Sequence, residues 1–386
     1  MRWPLMTENI SRGDIDALIA FLAQDGQKLT QGPQVAAFER EFADWVGTRH
    51  AVFVNSGASA NLITIAALGK DEDKGEVIVP AITWSSDIAS VIHAGLTPVL
   101  VDVDPRTLGM GWNDVLSRVN VKTRAVFLTH VLGFDGLDQG AREALLEINI
   151  PLIEDCCESI GAMRGGRRLG SFGVASNFSF YYGHHMTTIE GGMVCTNDDY
   201  FYEQCRMLRS HGMTREIESG SIRDFHERLH TDTHPEFTFE MPAFNVRSTE
   251  LNAVLGRRQL RRIDDNIAAR TENLSLFLGG LDGSKYWTDY AVKGSSNFAL
   301  PLILREPDTD LMAKVVSLLG ALGIEFRRGT AGGGNQARQP YLRKRGFVAS
   351  DFPIAEHIHK FGLYVGNYPS LDHGMISDLC DRLNTL

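Results

Sequence analysis

Residues 76–101 read EVIVPAITWSSDIASVIHAGLTPVLV, and this stretch decides the fold class. Two short apolar runs, 76–80 and 97–101, flank a segment with a helical pattern, and such runs are typical of buried strands. The same alternation continues on both sides, with predicted strands at 125–130 and 151–153 and predicted helices at 60–68 and 138–147. We therefore predict an α/β protein with a mainly parallel sheet, helices on both faces, and its ligand at the carboxyl ends of the strands.

Length, composition and charge restrict the class of protein. The chain has 386 residues, of which 43% are hydrophobic and 22% charged, and its net charge is −10. This length suits a large domain, placed at 1–250, and a smaller one at 251–386 that starts with a long linking helix. The acidic balance predicts no nucleic-acid partner, because such partners need a basic surface. No apolar run is long enough for a membrane span and residues 1–14 lack a signal-peptide pattern, so we expect a cytoplasmic protein without a membrane partner.

The cysteines suit neither disulfides nor a metal site. Their positions show no CxxC spacing and no cysteine–histidine metal pattern: Cys156, Cys157, Cys195, Cys205 and Cys380. An odd number with one adjacent pair is typical of reduced thiols. We therefore expect no metal ligands in this chain.

Two polar segments follow predicted strands. Residues 55–61 (NSGASAN) end an apolar run and begin a helix, where small side chains and free backbone N–H groups suit a phosphate. Residues 153–159 (IEDCCES) place acids at the end of a buried strand, where an aspartate can hold a protonated pyridine nitrogen. Taken alone, each segment is more often an ordinary turn or helix cap.

Two further segments contain groups that can take part in catalysis. Residues 178–196 include the adjacent pair His184 and His185 and a double glycine before an apolar strand. Adjacent histidines rarely reach one metal ion together, and a lone histidine is usually structural. Residues 243–250 (AFNVRSTE) lead into the linking helix and, taken alone, are an N-cap region.

Together these four segments resemble the DegT/DnrJ/EryC1/StrS family of sugar aminotransferases and dehydratases. The resemblance runs the whole chain, from residues 29–35 (LTQGPQV) through 79–86 (VPAITWSS) to 364–368 (YVGNY). It implies the type I fold of pyridoxal-phosphate enzymes, which is aspartate aminotransferase-like, with a mostly parallel central sheet and a smaller C-terminal α+β domain.

The resemblance also implies roles for individual residues. Those expected to bind the cofactor are Gly57, Ala58, Ser59 and Ser179 at the phosphate, Trp84 stacked on the ring, Asp155 at the ring nitrogen, and Glu158 near the ring hydroxyl. Asn245 is expected to reach the phosphate of the neighbouring subunit's cofactor, which implies a homodimer with shared active sites. His211 and Arg215 are expected to contact the substrate.

One position departs from the majority pattern of the family. Its aminotransferases carry the Schiff-base lysine where this chain has His184, and no lysine occurs between Lys122 and Lys285. Histidine moves protons near neutral pH but cannot form the imine. The cofactor is therefore expected to bind non-covalently, as pyridoxamine 5′-phosphate alternating with pyridoxal 5′-phosphate, with His184 as the catalytic base.

The family branch with this histidine consists of 3-dehydratases of nucleotide-linked 4-keto-6-deoxy sugars. We expect that activity here, in dideoxysugar and surface-polysaccharide biosynthesis, with GDP-4-keto-6-deoxy-D-mannose as the first candidate nucleotide-sugar substrate and glutamate as amine donor. The iron–sulfur variant of this chemistry is disfavoured, because the cysteines cannot supply four clustered thiolates. Residues 132–138 (LGFDGLD) differ from the proline-containing turn of the relatives, which leaves the substrate open. A sugar aminotransferase and a non-catalytic sensor on the same fold are the alternatives.

Overall fold

The computed structural model describes residues 2–69 and 75–386. Its α-helices are α1 (Arg12–Leu22), α2 (Pro33–Val46), α3 (Gly57–Ala67), α4 (Ser85–His93), α5 (Trp112–Arg118), α6 (Gln139–Glu147), α7 (Asp199–Arg209), α8 (Gly220–Leu229), α9 (Glu250–Leu260), α10 (Ile263–Gly280), α11 (Thr309–Leu322), α12 (Pro340–Arg343), α13 (Pro353–Phe361) and α14 (His373–Asn384). Its strands are β1 (His50–Val54), β2 (Glu76–Pro80), β3 (Thr97–Val101), β4 (Thr123–Thr129), β5 (Leu152–Asp155), β6 (Met163–Arg164), β7 (Arg167–Arg168), β8 (Ala175–Ser179), β9 (Gly192–Thr196), β10 (Ala299–Ile303), β11 (Phe326–Arg328) and β12 (Gly362–Gly366).

The main sheet has seven strands in the order β1-β9-β8-β5-β4-β2-β3. Strands β3, β2, β4, β5 and β8 run parallel, whereas β9 is antiparallel to both of its neighbours. The predicted α/β class with a mostly parallel sheet is therefore confirmed. Because the parallel strands end at one edge, the turns after β2, β4, β5 and β8 lie next to one another.

Both faces of the main sheet are buried, as a parallel sheet requires. Along β2, Val77 and Val79 belong to one hydrophobic cluster, while Ile78 between them belongs to another on the opposite face. Successive side chains of a strand point to opposite faces, so helices must cover both. The apolar residues from Val77 to Pro80 satisfy that requirement.

The segment predicted as one long linking helix is two helices, α9 and α10. The chain leaves helical geometry at Arg262, where φ is −121° and ψ is 10°. The guanidinium of Arg262 donates to Asp14 Oδ1 at 2.9 Å and to the Asn9 carbonyl at 2.9 Å, which ties this break to the N-terminal segment. The smaller sheet, β10-β12-β11, follows these helices and is antiparallel. The boundary predicted at residue 250 falls at the start of α9.

The glycine-rich loop at 329–339 is packed against the turn after β2. It forms two short 3₁₀ turns, and the N–H of fully buried Gln336 donates to the Ala81 carbonyl at 2.8 Å. Gly332 has φ +60°, and a Cβ there would lie 2.2 Å from the Thr83 carbonyl oxygen. Glycine is therefore needed for close approach to the end of β2.

Among the described helices, none is both long enough and apolar enough to cross a membrane.

Candidate active site

A turn with a free helix N-terminus is formed where β1 leads into α3. Ser56 caps the helix, since its Oγ accepts the Ser59 N–H at 3.0 Å, and the first N–H groups of a helix have no intrahelical acceptor. Gly57 lies against Ser179 at the end of β8, where an added Cβ would be 2.7 Å from the serine Cβ. The structure thus brings Gly57, Ala58, Ser59 and Ser179 together, as predicted, at a helix N-terminus that favours an anion.

Asp155 ends β5 and is almost fully buried. Its Oδ1 accepts the Cys157 N–H at 2.8 Å and its Oδ2 accepts an N–H of Asn61 Nδ2 at 3.1 Å. The same amide nitrogen donates to Asp87 Oδ1 at 2.6 Å, so one asparagine links two buried carboxyl groups. A carboxylate held in this way is a preformed partner for a cation at the edge of the sheet.

Asp87, in the first turn of α4, is a site residue that sequence reasoning missed. Its Oδ2 accepts the hydroxyl of Thr129 at 2.7 Å and also that of Thr83. Burial, followed by the charge of Asp155, raises the pKa of Asp87 well above its ordinary value. The fold therefore favours the neutral form of the Asp87 carboxyl group. In sequence, an acid in the first turn of a helix is too common to indicate this role.

Two more predicted residues stand near this acid pair. Trp84 is the N-cap residue of α4 and is 54% exposed, an orientation that leaves its ring free to cover a planar ligand. Glu158 accepts the Leu132 N–H at 2.8 Å. Burial, opposed by that bond and aided by Asp155, raises the pKa of Glu158 to about 7.

The turn that departs from the family pattern is shaped by close backbone contact. Leu132 and Gly133 both have positive φ, 51° and 94°. A Cβ on Gly133 would lie 1.8 Å from the Ser296 carbonyl oxygen, so glycine is required there. The turn therefore aims the Leu132 N–H at Glu158 and seats the segment that precedes β10.

His184 lies in a different setting, beside a cavity of about 160 Å³. The cavity is lined by residues 6–9, Arg270 and Tyr368, among others. The imidazole stands 5.1 Å from the Phe298 ring, and its buried Nδ1 has no hydrogen-bond partner among the described residues. Burial and the positive charge of Arg270 lower the pKa of His184 to about 3, so its imidazole is neutral at pH 7.

Within the described part of the chain, His185 shares the unpartnered Nδ1 of its neighbour but makes a side-chain hydrogen bond that His184 lacks. It is fully buried, and its Nε2 lies 3.1 Å from the Ser296 carbonyl oxygen. Burial and the charge of Arg270 keep its pKa well below the ordinary value. The side chain joins the histidine segment to the turn before β10, which is a structural role.

Aromatic rings connect the His184 cavity to the acid side of the site. Phe298, which contacts His184, also lies 6.2 Å from the ring of Tyr364. Burial, and then the charge of nearby Glu158, raises the pKa of Tyr364. Phe298 and Tyr364 thus link the surroundings of His184 to those of Glu158.

The remaining predicted residues lie on the segment between α7 and α9. Asn245 is exposed, and the next residue accepts the Asn55 N–H at 2.9 Å, so the segment passes in front of the N-terminus of α3. His211 is also exposed, with φ +63°. Arg215 stacks on the Phe237 ring and lines another cleft together with Arg206. Among the described contacts of this single chain, none brings His211 or Arg215 to Asp155.

Comparisons with known proteins agree with this geometry. A profile of the DegT/DnrJ/EryC1/StrS aminotransferase family matches residues 11–384. GDP-4-keto-6-deoxy-D-mannose 3-dehydratase of Yersinia pseudotuberculosis is 30% identical over 381 residues, covering 95% of this chain and 94% of the relative. GDP-perosamine synthase of Caulobacter vibrioides is 33% identical over 304 residues, covering 77% and 76%. A solved GDP-4-keto-6-deoxymannose-3-dehydratase with a trapped PLP–glutamate geminal diamine has a TM-score of 0.87 at 29% identity, covering 99% of this chain and 100% of that one.

Proposed function

Since the chain belongs to the DegT/DnrJ/EryC1/StrS aminotransferase family, we propose that it is a nucleotide-sugar 3-dehydratase. Its substrate is a nucleotide-linked 4-keto-6-deoxyhexose, with GDP-4-keto-6-deoxy-D-mannose as the first candidate. The observation that carries the proposal is His184 at the position of the Schiff-base lysine, in a stretch without lysine from 123 to 284. The dehydratase from Yersinia pseudotuberculosis, similar over nearly its whole length, supports the same assignment. Surface-polysaccharide biosynthesis is the proposed setting.

The cofactor is pyridoxal 5′-phosphate, and in the dehydration it serves in its pyridoxamine form, held without a covalent bond. The residues fit this group: the turn of Gly57, Ala58 and Ser59, together with Ser179, takes the phosphate. Asp155 pairs with the ring nitrogen, and Asp87 lies behind it, joined through Asn61. Trp84 covers the ring, and Glu158 lies by the ring hydroxyl.

The protein's part in the chemistry is to hold charges and move one proton. When bound, pyridoxamine phosphate supplies the amine that joins the C4 ketone of the sugar and the ring that accepts electrons. His184, neutral at pH 7, would accept at a ring nitrogen the proton lost from the C4′ carbon of the bound cofactor and, as an acid, would give it to the departing 3-hydroxyl. Such general acid–base work contributes about 10²- to 10⁴-fold.

The low pKa of His184 sets a condition for this step. Arg270 and burial both penalise a positive charge on the imidazole, so a protonated His184 needs a compensating negative charge nearby. The cofactor phosphate and the diphosphate of a nucleotide sugar bring that charge.

Assembly completes the site in this proposal. Asn245 is exposed on the single chain, on the segment that passes the N-terminus of α3. We propose that it reaches the phosphate bound by the other subunit of a homodimer. His211 and Arg215, which lie on the same segment, are then candidates for substrate contacts across the dimer rather than within one chain.

The alternative activity is that of a sugar aminotransferase, and the similarity to GDP-perosamine synthase supports it. The two activities leave different products. Dehydration removes one oxygen atom from the sugar and releases ammonia, while glutamate becomes 2-oxoglutarate in restoring the amine form of the cofactor. Transamination converts the ketone into an amine, releases no ammonia, and relies on the lysine that is missing here.

The deciding experiment incubates the protein with pyridoxal phosphate, glutamate and a panel of 4-keto-6-deoxy sugar nucleotides. We expect one member to lose an oxygen atom by mass spectrometry, with equal amounts of ammonia and 2-oxoglutarate. An amino sugar without ammonia would establish the aminotransferase. Failure to bind the cofactor at all would favour the sensor.

A further inference from the structure

A cluster of two histidines and a glutamate lies outside the proposed active site. His226, on the last turns of α8, and His230, the residue after its C-terminus, are four apart in the sequence HERLH. Residues spaced in this way share one face of a helix, and HExxH is a known zinc-binding spacing. Our expectation of no metal ligands rested on the cysteines and on the adjacent pair at 184–185, and it overlooked this spacing.

The structure points both imidazoles at one carboxylate oxygen. His226 Nδ1 lies 3.0 Å and His230 Nε2 2.8 Å from Oε2 of Glu240. These groups form a set of ligand atoms that all lie within 4.8 Å of one another. A tetrahedral zinc ion with bonds of about 2.0–2.2 Å separates its ligand atoms by about 3.3 Å, so small side-chain movements suffice.

We propose that His226, His230 and Glu240 bind one divalent ion of the zinc type. Two neutral imidazoles and one carboxylate are a ligand set that zinc prefers, and three protein ligands leave a fourth position open. The side chain of His226 is 8% exposed and that of His230 36% exposed, so the open position is accessible from the His230 side. Glu227 of the HERLH sequence is exposed, and Glu240 supplies the carboxylate of the cluster instead.

The ion would fasten two parts of the segment that leads to Asn245. Phe239, next to Glu240, pairs with Met213, and Asn245 pairs with Ser210 a few residues later. Binding His226 and Glu240 to one ion would therefore hold α8 against this strand-like stretch. The proposed site does not depend on the dehydratase assignment, since its ligands are separate from the cofactor residues.

A second histidine–acid cluster has its potential ligand atoms already occupied by hydrogen bonds from the backbone. His130, Glu154 and Cys156 also have ligand atoms within 4.8 Å of one another. However, His130 Nδ1 accepts the Gly136 N–H at 3.1 Å, and Glu154 accepts three backbone N–H groups at 2.7–2.9 Å. The donors of the fold already use these atoms, so this core cluster serves as an internal control.

The test is metal uptake by the full chain. Protein stripped with a chelator and dialysed is titrated with Zn²⁺ against a chromophoric competitor, and bound metal is counted by mass spectrometry after gel filtration. We expect one ion per chain and at least about tenfold weaker binding in His226→Gln and in His230→Gln. His234→Gln, at an exposed histidine of the same segment, is the matched control and should bind as the wild type does.

Loading with Co²⁺ identifies the ligands without relying on the variants. A site of imidazole and carboxylate gives no thiolate-to-cobalt charge-transfer band, whereas a site at Cys156 gives one. Zn²⁺ should also raise the melting temperature of the wild type and of His234→Gln but not of the double variant His226→Gln/His230→Gln. No uptake, uptake unchanged in a circular-dichroism-verified double variant, or a thiolate band would each overturn the proposal. Because no nucleotide sugar is present, none of these outcomes bears on the dehydratase activity.

Discussion

The acid side and the histidine side of the site are built in opposite ways. Asp155 receives a backbone N–H and an asparagine N–H, and Asp87 behind it receives two threonine hydroxyls. His184 has a partnerless Nδ1 and rests on aromatic contact, with an arginine that disfavours its protonation. Fully bonded groups cannot move or change charge cheaply, while a group with a free nitrogen can.

This difference suggests a separate function for each side of the site. The acid side is a fixed electrostatic anchor whose charge is set before any ligand arrives. The histidine side is free to exchange a proton once a ligand supplies negative charge. We therefore expect substitutions on the acid side to lower cofactor affinity, and substitutions of His184 to lower the turnover rate.

The largest effect is expected from His184→Asn. The fold and the cofactor affinity should persist, because the side chain makes no described hydrogen bond, and turnover should fall by about 10²- to 10⁴-fold. Product formation from the accepted sugar nucleotide, alongside cofactor fluorescence, measures both. A variant that turns over at the wild-type rate would show that another residue is the base.

His185 supplies the matched control for that experiment. Its bond to the Ser296 carbonyl is lost in His185→Ala, which leaves a buried acceptor unpaired at a cost of about 1–3 kcal/mol. We therefore expect a lower melting temperature with a much smaller loss of turnover per folded molecule. The opposite ranking of the two histidines would reverse their roles.

The second effect in size is expected on the acid side. Asp155→Asn removes the charge proposed to pair with the ring nitrogen, and charged hydrogen bonds are worth about 1.5–3 kcal/mol, or about 10- to 100-fold in cofactor affinity. Asp87→Asn should change that affinity by less than about twofold, because the amide mimics a carboxyl group that is already neutral. Equilibrium binding of pyridoxal phosphate measures both variants.

The Asp87 variant also has a pH signature of definite sign. Since the folded pKa of Asp87 is raised, its stabilising neutral form is lost as pH rises through that value. Asp87→Asn should therefore gain stability relative to the wild type at high pH and not at low pH. Equal losses of cofactor affinity in the two variants would mean that the charge is shared, and the anchor would not be fixed.

A third prediction extends the comparison across the proposed dimer. Asn245→Asp sets a negative charge against the phosphate, so the variant should lose cofactor affinity rather than monomer stability. A mixed dimer of Asn245→Asp and His184→Asn chains has both faults at one site and an intact second site. We expect at most about half of the wild-type activity, because closed two-fold symmetry gives two equivalent sites. The dimer is purified from co-expression with two different tags.

That experiment separates two placements of Asn245. If the mixed dimer is as inactive as both parents, while each parent is folded and dimeric, Asn245 acts within its own subunit or only as a structural residue. Recovery of activity would instead place Asn245 at the site of the other subunit, while Asp155 and His184 of one chain act together.

The sequence predicted the sheet well, because its strands are uninterrupted apolar runs between turns. The family resemblance, rather than the local pattern, proposed roles for the Gly57 to Ser59 turn and for Asp155, and those roles stay predictions. Sequence reasoning missed Asp87, whose role depends on Asn61 bridging two turns that are far apart in sequence. Local sequence patterns do not show contacts between segments that are distant in the chain.

The smallest expected effect concerns Glu158, which lies between the two sides. In the folded chain its pKa is raised from 4.5 to about 7, so the neutral form is favoured by the fold. Its contribution to stability is complete below pH 4.5 and is lost as pH rises through 7. Glu158→Gln keeps an acceptor for the Leu132 N–H and cannot ionise. The free energy of unfolding of the variant, relative to wild type, should therefore rise between pH 5 and pH 8 by about 1–2 kcal/mol after allowance for partial exposure.

Chemical denaturation at several pH values, without cofactor, measures this difference. A gap that does not change with pH would mean that Glu158 ionises freely in the fold, and the acid side would then carry two charges beside the ring position instead of one. Such a result would weaken the division between a fixed anchor and a mobile base, because the anchor itself would respond to pH near neutrality. A gap that grows with pH, together with a pH-independent loss of turnover in His184→Asn, would place proton exchange during the reaction on the histidine side alone.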